Sequence, residues 1–286
     1  RQRQMCIRDR SGDIILRQTG VNLEGSSSDF TAAFAGTITS STGNFTITNS
    51  DYTLSELVTI NSKTSGEIVL NTASTALSGT SSNYLNAFAG TVTSSTGIFT
   101  ITNSDYTISD LITINSKTSG DLILSDTTAS LSGSVSDIKD AFAGTVTTHT
   151  GSVTITDAAA TDIAATDISS INTSSTGSIT VSNAIDINGS GSEVAAAFAA
   201  IDTNTGNATA NITGSDYTIA QLKAINNATD GAIVLVDPTV ALSGTAADVA
   251  AAFAGTITTH TGQITLTDEV DNLSLIHISE PTRPRI

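Results

Sequence analysis

Ten glycines along the chain are each followed by a short run with apolar residues at the second and fourth positions and polar or β-branched ones between. They are Gly12, Gly43, Gly66, Gly97, Gly120, Gly151, Gly177, Gly206, Gly231 and Gly262. The pairs are Ile14/Leu16, Phe45/Ile47, Ile68/Leu70, Phe99/Ile101, Leu122/Leu124, Val153/Ile155, Ile179/Val181, Ala208/Ala210, Ile233/Leu235 and Ile264/Leu266. Alternation with period two sets both members on one face of a short strand, so ten strands are expected. The weak slot is Ala208/Ala210, where a register shift brings in Ile212.

Helix signals separate the strands. In the longer half of the pattern they are Ser26–Gly36, Thr80–Gly90, Ser134–Gly144, Ser190–Ala200 and Thr245–Gly255. Each opens on Ser or Thr with Asp, Asn or Glu three residues later, the spacing of a capping box. Phe34, Phe88, Phe142, Phe198 and Phe253 fall four residues after Phe30, Tyr84, Ile138, Val194 and Val249, hence on one helix face. In the shorter half the signals are Thr53–Asn61, Thr107–Asn115 and Thr218–Asn226. Leu54, Leu57 and Ile60 form an apolar stripe there, and Ile163, Ile168 and Ile171 keep it imperfectly in the third unit.

The pattern repeats. Ala33–Leu70 returns as Ala87–Leu124 with 8 of 38 positions changed, an offset of 54 residues. Such periods mark repeat architectures. Five units are expected: 11–64, 65–118, 119–175, 176–229 and a truncated 230–272, the third lengthened by three residues within Ala160–Ser170. Each unit divides into two glycine-led halves averaging 27 residues, and one such coil cannot bury a core without neighbours. The expected fold is α/β: a repeat solenoid with a parallel sheet on one face and short helices on the other. A parallel β-helix is the alternative, with Thr37–Thr39 and Thr91–Thr93 as extra strands or hairpin partners.

Residues 1–10 and 273–286 share nothing with the repeats. Met5–Asp9 and the first two bases of Arg10 can be written ATG TGT ATA AGA GAC AG, and the reverse complement of that string, CTG TCT CTT ATA CAC AT, encodes Leu273–His277. Both ends resemble translated sequencing-adapter DNA, so they are set aside, and 11–272 is expected to be an internal fragment of a longer protein. The remaining 262 residues carry five Lys or Arg against 25 Asp or Glu and no Cys. A net charge of −20 disfavours nucleic acid and anionic membranes as partners. The lack of Cys excludes disulfides and thiolate metal sites, and no apolar run is long enough for membrane insertion.

Candidate chemistry is sparse. His149 and His260 share one turn slot, T-T-H-T-G, where earlier units have Ser41 and Ser95, and a solvated turn residue is the expected role. No residue is singular in the way a nucleophile would be, so no catalytic residue and no cofactor site is expected. Asp51, Asp105 and Asp216 recur in S-D-Y-T turns. Asx-type turn chemistry explains them, and calcium held between coils is the sharper reading, although calcium needs six to eight oxygens. Thr-x-Thr at Thr46/Thr48, Thr100/Thr102, Thr154/Thr156 and Thr265/Thr267 resembles the ladders of ice-binding solenoids, interrupted by Val69, Ile123 and Val234.

The motifs L-S-G-[TS]-x-x-[DN]…A-F-A-G and S-D-Y-T-[LI]-x-x-L-x-x-I-N resemble the tandem repeats of large bacterial surface and secreted proteins, adhesin-like chains among them. The resemblance implies an extracellular or cell-surface location and a non-catalytic stalk or adhesive array. Its partners would be neighbouring repeats of the same chain and cell-surface or glycan ligands. A binding module for calcium, glycan or ice is the alternative function.

Overall fold

Short parallel ladders with rungs 22 to 26 residues apart in sequence, and helices between the rungs, make up the computed structural model, which describes residues 15–268. In chain order the first elements are β1 (Leu23–Gly25), α1 (Ser27–Ala33), β2 (Phe45–Ile47), α2 (Leu54–Asn61), β3 (Ile68–Leu70), β4 (Leu77–Gly79) and α3 (Ser81–Ala87). Then come β5 (Phe99–Ile101), α4 (Ile108–Asn115), β6 (Leu122–Leu124), β7 (Leu131–Gly133), α5 (Val135–Ala141) and β8 (Val153–Ile155). They are followed by β9 (Asp162–Ala164), α6 (Ala165–Ser174), β10 (Ile179–Val181), β11 (Asp186–Gly189), α7 (Gly191–Ala200) and β12 (Thr203–Asn204). The last are β13 (Thr209–Ile212), α8 (Ile219–Ala228), β14 (Ile233–Leu235), β15 (Leu242–Gly244), α9 (Ala246–Ala252) and β16 (Ile264–Leu266). The architecture is therefore α/β with several parallel sheets.

Contacts divide the chain into two units, one running to Asp157 and including Ser170–Thr180, the other holding Ala158–Ser169 and everything from Val181. In the first unit the sheet orders are β1-β2-β3 and β4-β5-β6, and β7 pairs with β8. Leu23 faces Phe45, which faces Ile68, and the same register joins Leu77, Phe99 and Leu122. Val92 and Val146 add isolated parallel bridges to Ile68 and Leu122, so Thr91–Thr93 extends a ladder and forms no hairpin. In the second unit β14-β13-β11-β9 form one parallel sheet and β15-β16 another. Ala210 faces Ile233 and Ile212 faces Leu235, the anticipated register shift.

Two expectations need correction. The step between rungs is shorter than the 27-residue half-unit, and the described residues hold several sheets where one was expected. Both follow from L-x-G segments such as Leu77–Gly79, which are strands (β1, β4, β7 and β15). Two steps of 22 and 23 residues use up 45 of a 54-residue period, so β4 starts nine residues after β3 and opens a new ladder. The glycines consequently do not form one row. A Cβ on Gly66 would lie 2.3 Å from the Gly43 carbonyl oxygen, whereas one on Gly97 would lie 2.2 Å from that of Thr75, not against Gly66. Of the ten expected strands, the first falls partly on Ile14, outside the described residues, while Ile15 and Leu16 are not in a strand.

The interior explains why these residues form these elements. Phe45, Ile47, Phe99 and Ile101 are fully buried, as are Leu57 and Leu111 of the facing helices. The Phe45 ring lies 4.6 Å from Phe30 and 5.1 Å from Phe34, while Phe99 lies 4.7 Å from Tyr84 and 5.2 Å from Phe88. Such pairs stabilise beyond their buried area. Helix starts match the expected caps: Thr53 Oγ1 accepts from Glu56 N while Thr53 N donates to the Glu56 carboxylate, and Thr107/Asp110, Ser190/Glu193 and Ser26/Asp29 repeat the arrangement. Neighbouring rungs then tie one another. Asn49 Oδ1 accepts from Ser27 N at 2.8 Å and Asn103 Oδ1 from Ser81 N at 2.8 Å, each supplying a helix N–H that has no partner within its helix. At the other helix end Asn61 Nδ2 donates to the carbonyls of Asn86 and Ala89, and Asn115 repeats this with Asp140 and Ala143.

Candidate functional site

The residue two places before a strand-leading glycine is the most chemically specific position in the repeat. Ser41 Oγ donates to the Thr19 carbonyl at 2.9 Å and accepts from Gly43 N at 3.0 Å. Ser95 does the same with Ala73 O and Gly97 N. Thr64, Thr118 and Thr229 hold the slot in the other half-units, each donating at 2.7 Å to the rung before it. One hydroxyl thus satisfies a carbonyl on one coil and an N–H on the next, and such buried groups are costly to leave unpaired.

His149 and His260 stand in this slot. The expectation of a solvated turn residue is corrected for His149, which is fully buried with neither ring nitrogen hydrogen-bonded. His260 is half-buried; its Nε2 lies 2.8 Å from the Val240 carbonyl, and its Nδ1 is buried without a partner. The cause is volume. The units with Ser in the slot have Phe45 or Phe99 four residues later, and the units with His have Val153 or Ile264. The imidazole takes the place of the missing phenyl: His149 lies 5.8 Å from Phe142, and His260 lies 5.7 Å from Phe253.

Burial pulls the His149 pKa below that of an ordinary histidine and outweighs the Ala129 carbonyl and the Asp126 carboxylate, which pull the other way. A folded-state value below the unfolded one means the native state prefers the neutral ring. That contribution is complete above the unfolded pKa of about 6.5 and is lost as pH falls from there through the lowered folded value. One proton contributes at most about 1.4 kcal/mol per pH unit. Chemical denaturation at pH 7.5 and 5.5 should therefore show a loss of stability that shrinks in the His149→Ser/Val153→Phe variant.

The three turn aspartates do not come together. Asp51, Asp105 and Asp216 are each exposed, and the carboxylates of Asp51 and Asp105 accept from the amides of Asn49 and Asn103 in their own turns. Among the described residues no group of three His, Cys, Asp or Glu is placed to hold a metal. The tyrosine that follows each aspartate is the buried member of the motif. Tyr52, Tyr106 and Tyr217 donate to the carbonyls of Thr72, Asp126 and Asp237, all at 2.6 Å. Burial, with the Asp126 carboxylate adding to it, pushes Tyr106 up to about 12. Asp126 and Asp237 are themselves held below the usual carboxylate range by hydrogen bonds from Thr128 and Thr239.

The threonine face is also broken up. Thr46 stands between Glu24 and Val69, and Thr100 between Ser78 and Ile123, so neither has a threonine on the rung before or after it. A cleft lined by Tyr84, Phe88, Phe99 and Lys117 has room for about one water, 10 Å³. No helix among the described residues is long and apolar enough to cross a membrane. No protein-family model matches the chain, and neither does any curated protein or solved structure.

Proposed function

We propose that the chain is a non-catalytic structural repeat segment, a solenoid of 54-residue units forming a stalk or adhesive array in a large bacterial surface or secreted protein. It works outside the cell, and its first partners are neighbouring repeats of its own chain. The observation that carries this reading is the use to which the motif residues are put. In three units the S-D-Y-T tyrosine is buried and donates at the same 2.6 Å to a carbonyl 20 residues further on. The Ser, Thr and Asn of the other motifs likewise bond from rung to rung. What recurs from unit to unit is the means of stacking, as stability shared between neighbouring repeats requires.

The test has two arms. Small-angle scattering on arrays of one, three and five units should show a maximum dimension rising by roughly 11 Å per unit, from about 23 residues per rung and a rung spacing near 4.8 Å; a single unit should be unfolded. An unchanged dimension would sink the solenoid. Antibodies against the unit should label intact cells that carry the gene, and labelling only after permeabilisation would sink the surface location.

A further inference from the structure

One carboxylate of the repeat accompanies the histidine slot, and the turn that carries it does not account for its charge. Two residues past Leu70, Leu124, Val181 and Leu235 stand Thr72, Asp126, Asn183 and Asp237, and the slot on the following coil holds Ser95, His149, Asn204 and His260 respectively. Aspartate thus precedes histidine in both coils that have one, and precedes neither serine nor asparagine. Tyr106 and Tyr217 use only the backbone carbonyls of Asp126 and Asp237, as Tyr52 uses that of Thr72. Thr128 N and Thr128 Oγ1 donate to a single oxygen of the Asp126 carboxylate at 2.9 and 2.6 Å, and Thr239 does the same to Asp237 at 3.0 and 2.6 Å. An asparagine would serve that turn equally well, so the negative charge needs another reason.

Its place supplies one. Thr150 N donates to Thr127 O at 2.9 Å and the two hydroxyls meet at 2.7 Å, so the turn with Asp126 lies against the coil with His149. The ring sits inward beside Phe142, fully buried, with neither nitrogen hydrogen-bonded. A protonated ring carries two N–H donors and a charge, and an apolar space satisfies neither. We infer that His149 and Asp126 form an acid-operated latch: the neutral ring fills the space beside Phe142, and the protonated ring turns out of it to pair with the Asp126 carboxylate. His260 and Asp237 are a second copy of the device. Asp126 is the charged group that acts on the His149 ring. From the neighbouring turn, the Tyr106 hydroxyl is committed to the Asp126 carbonyl and stays neutral, and Asp105 is exposed and accepts from Asn103. Asp137, Lys139 and Asp140 of α5 are exposed, and Asp167 lies in the first turn of α6, whereas the coil past its far end meets His149 with the buried, uncharged Ser175. The bonds from Thr128 hold Asp126 below the usual carboxylate range, so it keeps its charge while His149 takes up a proton. Histidine is the side chain whose charge changes closest to neutral pH, which leaves the Ser95 coil insensitive over the same range.

NMR of the whole chain between pH 7.5 and 4.5 tests this. The ring-to-ring Overhauser contact between His149 and Phe142 should be present at pH 7.5 and vanish in step with the titration of the His149 Cε1 proton. The Phe88–Phe99 contact of the Ser95 coil should persist throughout. Asp126→Asn keeps an acceptor for Thr128 and removes the charge, so the His149 midpoint should fall by about one pH unit. Asp237→Asn asks the same of His260, at a turn whose folding does not depend on Asp126. A protonated His149 that stays against Phe142 overturns the proposal. So does a loss of both ring contacts at one pH, which is general acid unfolding, and so does a midpoint that the asparagine variants leave where it was, which would confine the aspartates to their turns.

Discussion

Gly120→Ala is expected to cost about 3 kcal/mol in urea unfolding, the upper end for forcing an atom into a filled space. The added Cβ would lie 2.4 Å from the Gly97 carbonyl oxygen and 2.7 Å from its carbon. These are backbone atoms of the preceding rung, held by the Thr118 hydroxyl on that same carbonyl at 2.7 Å, so they cannot swing aside as a side chain would. Gly144→Ala is the control. It sits at φ +74, and a Cβ there would meet nothing within 4 Å, so the substitution should cost only the 1–2 kcal/mol or so of a left-handed alanine. If the two substitutions cost the same, close approach of successive rungs is not what places glycine at the head of each strand.

The second large effect is a rescue. His149→Ser should lose about 2–3 kcal/mol, since it removes a buried ring 5.8 Å from Phe142 and leaves space that its neighbours fill only in part. Val153→Phe alone should also destabilise, by crowding a full interior. Together they recreate the Ser95/Phe99 pairing of the preceding unit, in which Phe99 lies 5.2 Å from Phe88 and Ser95 Oγ bridges Ala73 O and Gly97 N. The double variant should return to within about 1 kcal/mol of the wild type, a coupling well beyond the few tenths seen between independent sites. Simple additivity would refute the exchange of ring for ring.

Much of this fold is legible in the chain. Phe45/Ile47 and its counterparts announce their strands through alternation alone, and Thr53 with Glu56 announces a helix start, because both signals are local. The L-x-G strands are not legible. Leu77–Gly79 offers one inward apolar residue followed by serine and glycine, a composition that reads as a turn. Its glycine is set by a distant neighbour: a Cβ on Gly79 would lie 2.6 Å from Leu54 Cδ2. His149 misleads for a related reason. The slot looks polar along the sequence, and only the correlated change from Phe99 to Val153 four residues on tells that the ring points inward. That pairing is present in the sequence and emerges when the units are compared position by position.

The brevity of the ladders has a consequence for how such a chain tolerates error. In the first unit each new ladder starts from an L-x-G strand seated over a helix, with Gly79 against Leu54 and Gly133 against Ile108, and inherits no hydrogen-bond register from the strand before it. A slipped or lengthened coil therefore disturbs the few rungs of its own ladder and, through a bridge such as Ile68 to Val92, at most the last rung of the ladder before it, as bulkheads confine a leak. A lineage that copies and trims its units can in this way absorb an irregular one without forfeiting those beyond it.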